Sequence, residues 1–256
     1  MNGIYFSGSG HTKHCAEFFA QLTGGRAASI EDAAALDLIK ESAELFIAYP
    51  IHYSDLPKIV RDFLSQNAAA FAQKKVFFIA TMGLFSGDGA GLAARVLKKA
   101  GAKILGGLHV RMPDAIADVK MLKKPLEGNV AIAKAADQKI AEASCLVKVG
   151  RYPKDGLSFL SRLAGLFGQR LWFIPTVKAA RSKLKVNQDK CSGCGLCAKN
   201  CPTKSLFIAN GKAAFVPGNC TLCYRCVNSC PSKAMTLLGK EVGESCGYSA
   251  LDLAER

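Results

Sequence analysis

Eight cysteines between residues 191 and 230 limit what this chain can fold into more than any other feature. Four stand in Cys191-Ser192-Gly193-Cys194-Gly195-Leu196-Cys197-Ala198-Lys199-Asn200-Cys201-Pro202. Four more stand in Cys220-Thr221-Leu222-Cys223-Tyr224-Arg225-Cys226-Val227-Asn228-Ser229-Cys230-Pro231. Both stretches have the spacing C-x2-C-x2-C-x3-C-P. Two-residue gaps let one tight loop aim three sulfurs at a common centre, and bacterial chains hold iron–sulfur cubes with this run.

A [4Fe–4S] cube needs four thiolates around one compact body. Where two such runs occur, the last Cys of each ligates the other cluster. The expected sets are therefore Cys191, Cys194, Cys197 and Cys230 for one cluster, and Cys220, Cys223, Cys226 and Cys201 for the other. Pro202 and Pro231 turn the chain away, since Pro fixes φ and donates no hydrogen bond. Ser192, Gly193 and Gly195 are small enough to let backbone N–H groups approach the sulfides. Zinc sites pair a C-x2–4-C with a second, distant pair, and disulfides do not require this period. Cys15, Cys145 and Cys246 fall outside the runs and are expected to be small incidental thiols.

The chain has 256 residues, half of them apolar, enough for one or two domains with a sizeable core. Its N-terminus lacks the basic and long apolar regions of a secretory signal. Cysteines without an export signal argue for a reducing compartment, so a cytoplasmic location is expected. The formal charge of +14 is unevenly spread, because residues 151–185 hold 8 basic and 1 acidic residue. No recognition motif accompanies that excess, so nucleic acid is not an expected partner.

The first 150 residues alternate short apolar runs with amphipathic stretches, the pattern of a parallel sheet flanked by helices. Strands are predicted at Gly3–Phe6, Arg26–Ile30, Leu45–Tyr49, Val76–Thr81 and Leu105–Met112. Helices are predicted at His11–Leu22, Ala34–Glu41, Leu56–Gln66, Gly89–Ala100 and Glu127–Ala143. The expected fold class is α/β: a doubly wound five-stranded parallel sheet in the order 2-1-3-4-5, with a small α+β two-cluster domain. Ligands of such sheets sit outside the carboxyl ends of the strands.

Three loops reach that edge. Ser7-Gly8-Ser9-Gly10-His11-Thr12 joins the first strand to the first helix. Its glycines allow close backbone approach, and its hydroxyls and the helix N-terminus suit a phosphate. It has neither the Lys of a triphosphate loop nor the spacing of a dinucleotide site, which points to a mononucleotide. Pro50, Ile51, His52 and Tyr53 follow the third strand, and Met82, Gly83, Leu84, Phe85 and Ser86 follow the fourth. These bring flat and apolar side chains to the same edge, as a flavin ring requires, and Tyr53 or Phe85 suits stacking. The four histidines are too scattered for a metal site, although His11 and His52 stand where a flavin would lie.

The loop at residues 7–12 resembles the FMN phosphate loop of flavodoxins, [TS]-x-[TS]-G-x-T. Residues 1–147 resemble a flavodoxin-like domain, and residues 186–239 resemble a bacterial two-cluster ferredoxin. The combination resembles the flavodoxin–ferredoxin fusion proteins of anaerobic bacteria and archaea. The resemblance implies FMN, two [4Fe–4S] clusters and transfer of electrons to partner redox proteins. The flavin loops depart from the family in having no Trp; the sole Trp is Trp172.

Residues 148–185 read as a basic connector. Leu157, Leu160, Leu163, Ala164, Phe167, Leu171 and Ile174 share one helical face, with Ser158, Arg162 and Gln169 opposite. That stripe is expected to dock the two domains together, with Pro175 ending the helix. The other reading is a peripheral membrane contact through residues 157–174. Residues 240–256 form a tail without a readable signal. The expected function is an electron carrier that divides a two-electron donor into single low-potential electrons, all-Cys ligation pointing to the low side. The alternative is a flavin-dependent oxidoreductase that reduces a small acceptor with electrons fed through the clusters.

Overall fold

The computed structural model describes residues 1–115, 122–171, 184–237, 240–241, 247–249 and 251. The expected helix end at Pro175, together with Ile174, Trp172 and Cys246, lies outside these residues.

The N-terminal part alternates strand and helix: β1 (Asn2–Tyr5), α1 (His11–Leu22), β2 (Ala27–Ser29), α2 (Ala34–Glu41), β3 (Glu44–Pro50), α3 (Lys58–Gln66), β4 (Lys75–Met82), α4 (Gly89–Lys99), β5 (Lys103–Arg111) and α5 (Leu126–Lys148). The five strands form one parallel sheet in the order β2-β1-β3-β4-β5. Every expected element is present, with ends shifted by a few residues. Pro57 holds the chain extended, so α3 begins at Lys58 rather than Leu56.

Strand period two sorts the core into two layers. Leu45, Ile47 and Tyr49 of β3 face α2, α3 and α4 with Ile4, Val76 and Phe78. Phe46 and Ala48 face the other way, where Phe77, Ile79 and Leu108 meet Phe19 of α1 and Ile140 of α5. With both sheet faces covered, β3 and β4 read as unbroken apolar runs.

The connector differs from the expectation. It holds α6 (Phe159–Gly165) and a π-helical turn (Leu166–Arg170). The expected docking stripe is split: Leu157 packs against the core and Leu163 is half-buried, while Leu160, Ala164, Phe167 and Leu171 are exposed. Docking goes through small and polar groups instead: a Cβ on Gly165 would overlap the Asp88 carboxylate. Asp88 is fully buried and pairs with Arg170 of the π turn and, at 2.5 Å, with Arg95 of α4.

The C-terminal part is small. It comprises β6 (Lys185–Val186), α7 (Leu196–Lys199), the hairpin β7 (Leu206–Ala209) and β8 (Lys212–Phe215), α8 (Arg225–Ser229), β9 (Met235–Leu237) and β10 (Lys240–Glu241). Its core mixes Leu184, Leu206, Val227 and Met235 with Cys191, Cys197 and Cys201. No helix among the described residues is long and apolar enough to cross a membrane.

Candidate functional site

The site begins at the carboxyl end of β1. Gly10, with a φ of 94°, is the N-cap of α1, a left-handed conformation that disfavours a Cβ. Its N–H donates to Ser7 Oγ at 3.1 Å, which folds the loop back on itself. No side chain caps α1, so the positive end of the helix faces the loop. Thr12 is buried, and its hydroxyl lies 2.8 Å from that of Thr81, tying the loop to the end of β4.

Beside this loop opens a cleft with about 520 Å³ of empty space, part of it open to solvent. From the first loop Gly8, Ser9, His11 and Thr12 line it; from the second, Pro50, Ile51 and His52; from the third, Met82 and Gly83. Among the described residues no Lys or Arg does, so an anionic phosphate there would rest on hydroxyls, N–H groups and the helix dipole. Those donors fit a flavin phosphate. Thr81 and residues 112–115, which the loop reading missed, also line the cleft. Residues 112–115 follow β5 at the same sheet edge, so the rule that selected the other loops applies to them too.

Six expected site residues stand outside the lining: Ser7, Gly10, Tyr53, Leu84, Phe85 and Ser86. Leu84 and Phe85 are surface residues about half exposed. Ser86 is fully buried, and its hydroxyl has no hydrogen-bond partner among the described residues. Tyr53 and Ser54 are both left-handed, with φ of 49° and 59°. That turn sends Tyr53 to the C-terminal part, where its hydroxyl bonds that of Tyr224.

The fourth wall of the cleft comes from the second cysteine run, through Cys223 and Tyr224. Gly8 makes this approach feasible, because a Cβ there would overlap the Cys223 carbonyl oxygen. Three further links bind the halves. Ile59 N–H donates to Thr221 Oγ1 at 3.2 Å. His52 Nδ1 lies 3.3 Å from the Thr221 carbonyl, an acceptor, so this nitrogen carries the proton. Burial lowers the His52 pKa to about 4 against a smaller opposing effect of that bond, which leaves the ring neutral near pH 7. Arg225 donates to Ser7 O at 2.7 Å, to Asn200 O at 3.2 Å and to both carboxylate oxygens of Glu31 at 2.6 and 2.9 Å.

All ten described cysteines are free thiols. Run cysteines accept backbone N–H bonds at sulfur, among them Cys191 from Ala213 (3.4 Å), Cys201 from Ser205 (3.2 Å), Cys220 from Leu222 (3.4 Å) and Cys230 from Ala234 (3.3 Å). Such bonds stabilise thiolate and help set a cluster's potential. Burial pushes the Cys197 thiol up, with Cys230 and Cys191 adding to the effect. Burial pushes Cys226 up strongly, with Cys223, Cys220 and Cys201 foremost among its thiol neighbours. Among the described residues no three His, Cys, Asp or Glu converge as a single ion requires; a cube spreads its ligands around a wider body.

The tail adds a contact that nothing in the sequence announces. Tyr248 N–H donates to Ser9 O at 2.9 Å, and the ring stacks on His14 with centroids 4.1 Å apart. His14 Nε2 lies 2.6 Å from Asp137 of α5. Tyr248 thus packs against the loop between β1 and α1.

A family model for the flavodoxin domain matches residues 4–114, and one for the 4Fe-4S dicluster domain matches residues 183–231. No curated protein matches the sequence. Among solved structures, the two-electron reduced flavodoxin of Megasphaera elsdenii is 22% identical, with a TM-score of 0.39 over 56% of this chain and 100% of its own. A flavodoxin from the domain Archaea is 20% identical, with a TM-score of 0.38 over 57% and 99%. General stress protein 14 of Treponema denticola, solved with FMN, is 13% identical, with a TM-score of 0.42 over 59% and 99%. The flavodoxin domain implies FMN and the dicluster domain implies [4Fe–4S] clusters, so this is an electron-transfer flavin and iron–sulfur protein. The chain joins a flavodoxin domain to a 4Fe-4S dicluster domain, the make-up of a flavodoxin–ferredoxin fusion.

Proposed function

We propose that the protein is a one-chain relay in which the second cysteine run takes electrons directly from the flavin cleft. The observation that carries this is the placement of Cys223 and Tyr224 in the cleft wall. Bound FMN handles two electrons and each cluster one, so the pair divides or merges electron pairs.

In this reading Cys220, Cys223, Cys226 and Cys201 hold the cluster beside the cleft. Cys191, Cys194, Cys197 and Cys230 hold the one beyond it. The thiol neighbours of Cys197 and Cys226 support that grouping. Cys194 is exposed, which makes the far cluster the meeting point for a partner redox protein. Ser9 and Thr12 would hold the phosphate, Ser7 shaping their loop, and His52 and Gly83 would border the ring. All-Cys ligation supports low-potential transfer.

A reductase of a small acceptor would need room for a second molecule against the ring, and Cys223 and Tyr224 take up one side of the cleft. The test is anaerobic flash reduction of the flavin in the purified holoprotein, followed by cluster bleaching. Bleaching at a rate independent of protein concentration is expected. A rate that rises in proportion to concentration would place the transfer between molecules and sink the relay.

A further inference from the structure

Much of the connector's apolar stripe is left uncovered. Leu160, Ala164, Phe167 and Leu171 are exposed, while Leu163 is half-buried and Leu157 packs against the core. Phe159, Leu160, Phe167 and Leu171 are between 51% and 75% exposed. Large apolar side chains gathered on one exposed face mark an interaction site rather than scattered surface residues.

The inward side explains why the helix does not roll over. Gly87 and Gly165 meet so closely that a Cβ on either would overlap the other segment. Arg170 is anchored by the buried Asp88 carboxylate, and its Nε donates to Ser54 O at 3.1 Å. The helix is held by its polar and glycine side, so its apolar side stays outward.

Cations border the apolar face. A groove beside it is lined by Arg61, Arg95, Lys98, Lys99, Arg162 and Arg170, with Asp55 as its one carboxylate. Asp55 is itself paired with Arg61 at 2.8 Å. A second groove brings Lys154, Lys98 and Arg162 against Phe159. Long apolar side chains standing out from a convex helix, with basic residues at their flank, suit insertion between lipid headgroups. A protein partner would instead need a groove shaped to receive them.

We propose that residues 159–171 dock the protein on the surface of an anionic lipid bilayer. Phe159, Leu160, Phe167 and Leu171 enter the headgroup boundary, while Lys98, Lys99, Lys154 and Arg162 meet the lipid charge. The proposal does not rest on the relay and stands or falls apart from it.

The test is flotation of the holoprotein with phosphatidylglycerol or phosphatidylcholine vesicles, at low salt and at about 0.5 M salt. Wild type is expected to float with the anionic vesicles at low salt, less so at high salt, and not with the neutral ones. Leu160→Gln/Phe167→Gln is expected to lower the partition coefficient at least about tenfold. Lys98→Glu/Lys99→Glu is expected to abolish flotation. Unchanged flavin and cluster absorbance establishes that each variant is folded, and Phe159→Gln/Leu171→Gln serves as a second apolar pair. Failure of wild type to float, or flotation of both folded apolar variants like wild type, would overturn the proposal. Equal flotation with neutral vesicles would do the same, and so would capture by an acidic polypeptide with no flotation at all.

Discussion

Gly8 and Cys223 are in backbone contact, one from the loop between β1 and α1 and one from the second cysteine run. The contact is backbone to backbone, so no flexible side chain is available to yield. Gly8→Ala is therefore expected to push the two halves apart. Overpacking of this kind costs about 1–3 kcal/mol. The variant should unfold at lower temperature and release FMN more readily, read by calorimetry and flavin fluorescence. It should also slow bleaching of the clusters after flavin reduction. Gly24 has open space around its Cα, and Gly24→Ala should leave flavin binding as it is.

Arg225 links more of the two halves than any other side chain described above. It touches the loop between β1 and α1 at Ser7, the first cysteine run at Asn200 and the N-terminal part at Glu31. The guanidinium also lies 5.8 Å from the Phe6 ring centroid. Arg225→Ala should cost about 1.5–3 kcal/mol, the range for hydrogen bonds to charged groups. Glu31→Gln should cost part of that, and the double variant less than the sum, since both remove one interaction. Thermal unfolding of the four proteins closes the cycle. Additive losses would show that the pair does not couple the halves.

The strand and helix order was legible because the buried parallel strands read as apolar runs and the helices between them are amphipathic. The cysteine period named the clusters, since thiolates at those gaps have few other uses. What the sequence hid is long-range. Tyr53 looks like a flavin-stacking residue by position, yet two left-handed residues send it to Tyr224. Nothing local distinguishes it from a ring that turns toward the cleft. Cys223 and Tyr224 reach the cleft from far along the chain, well beyond every other residue that lines it, and no periodicity reports such a contact. The connector misled in the opposite sense. Its apolar stripe is real, and Leu157 does pack against the core, but Gly165 and Arg170 dock on Gly87 and Asp88 and leave Leu160, Phe167 and Leu171 exposed.

Crossed ligation makes an unusual forecast about which cysteine empties which site. Cys230 belongs to the second run in sequence but would serve the cluster of the first. Cys230→Ala should therefore remove roughly half the iron and sulfide and spare the cluster beside the cleft. Rapid bleaching after flavin reduction should persist in it. Cys201→Ala should lose the same amount of iron and abolish that rapid phase. The opposite pattern of bleaching would show that each run serves its own cluster.

His109 supplies a pH dependence distant from the clusters. Its Nε2 accepts the N–H of Ala90 at 3.1 Å, in the first turn of α4. That bond requires a neutral ring, and a Cβ on Gly156 would overlap the same nitrogen. Burial lowers the His109 pKa, with smaller opposing and reinforcing effects from nearby charges. A group with a lowered folded pKa leaves stability untouched above its unfolded value, about 6.5. Below that, the unfolded chain takes up the proton first, so stability falls as the pH drops toward the lowered value. His109→Gln can still accept the Ala90 N–H through its amide oxygen but cannot titrate, and it should flatten this part of the profile while lowering stability near pH 7. Urea unfolding of both proteins between about pH 7.5 and 5 measures the difference. Parallel losses in the two would assign the acid sensitivity to other groups.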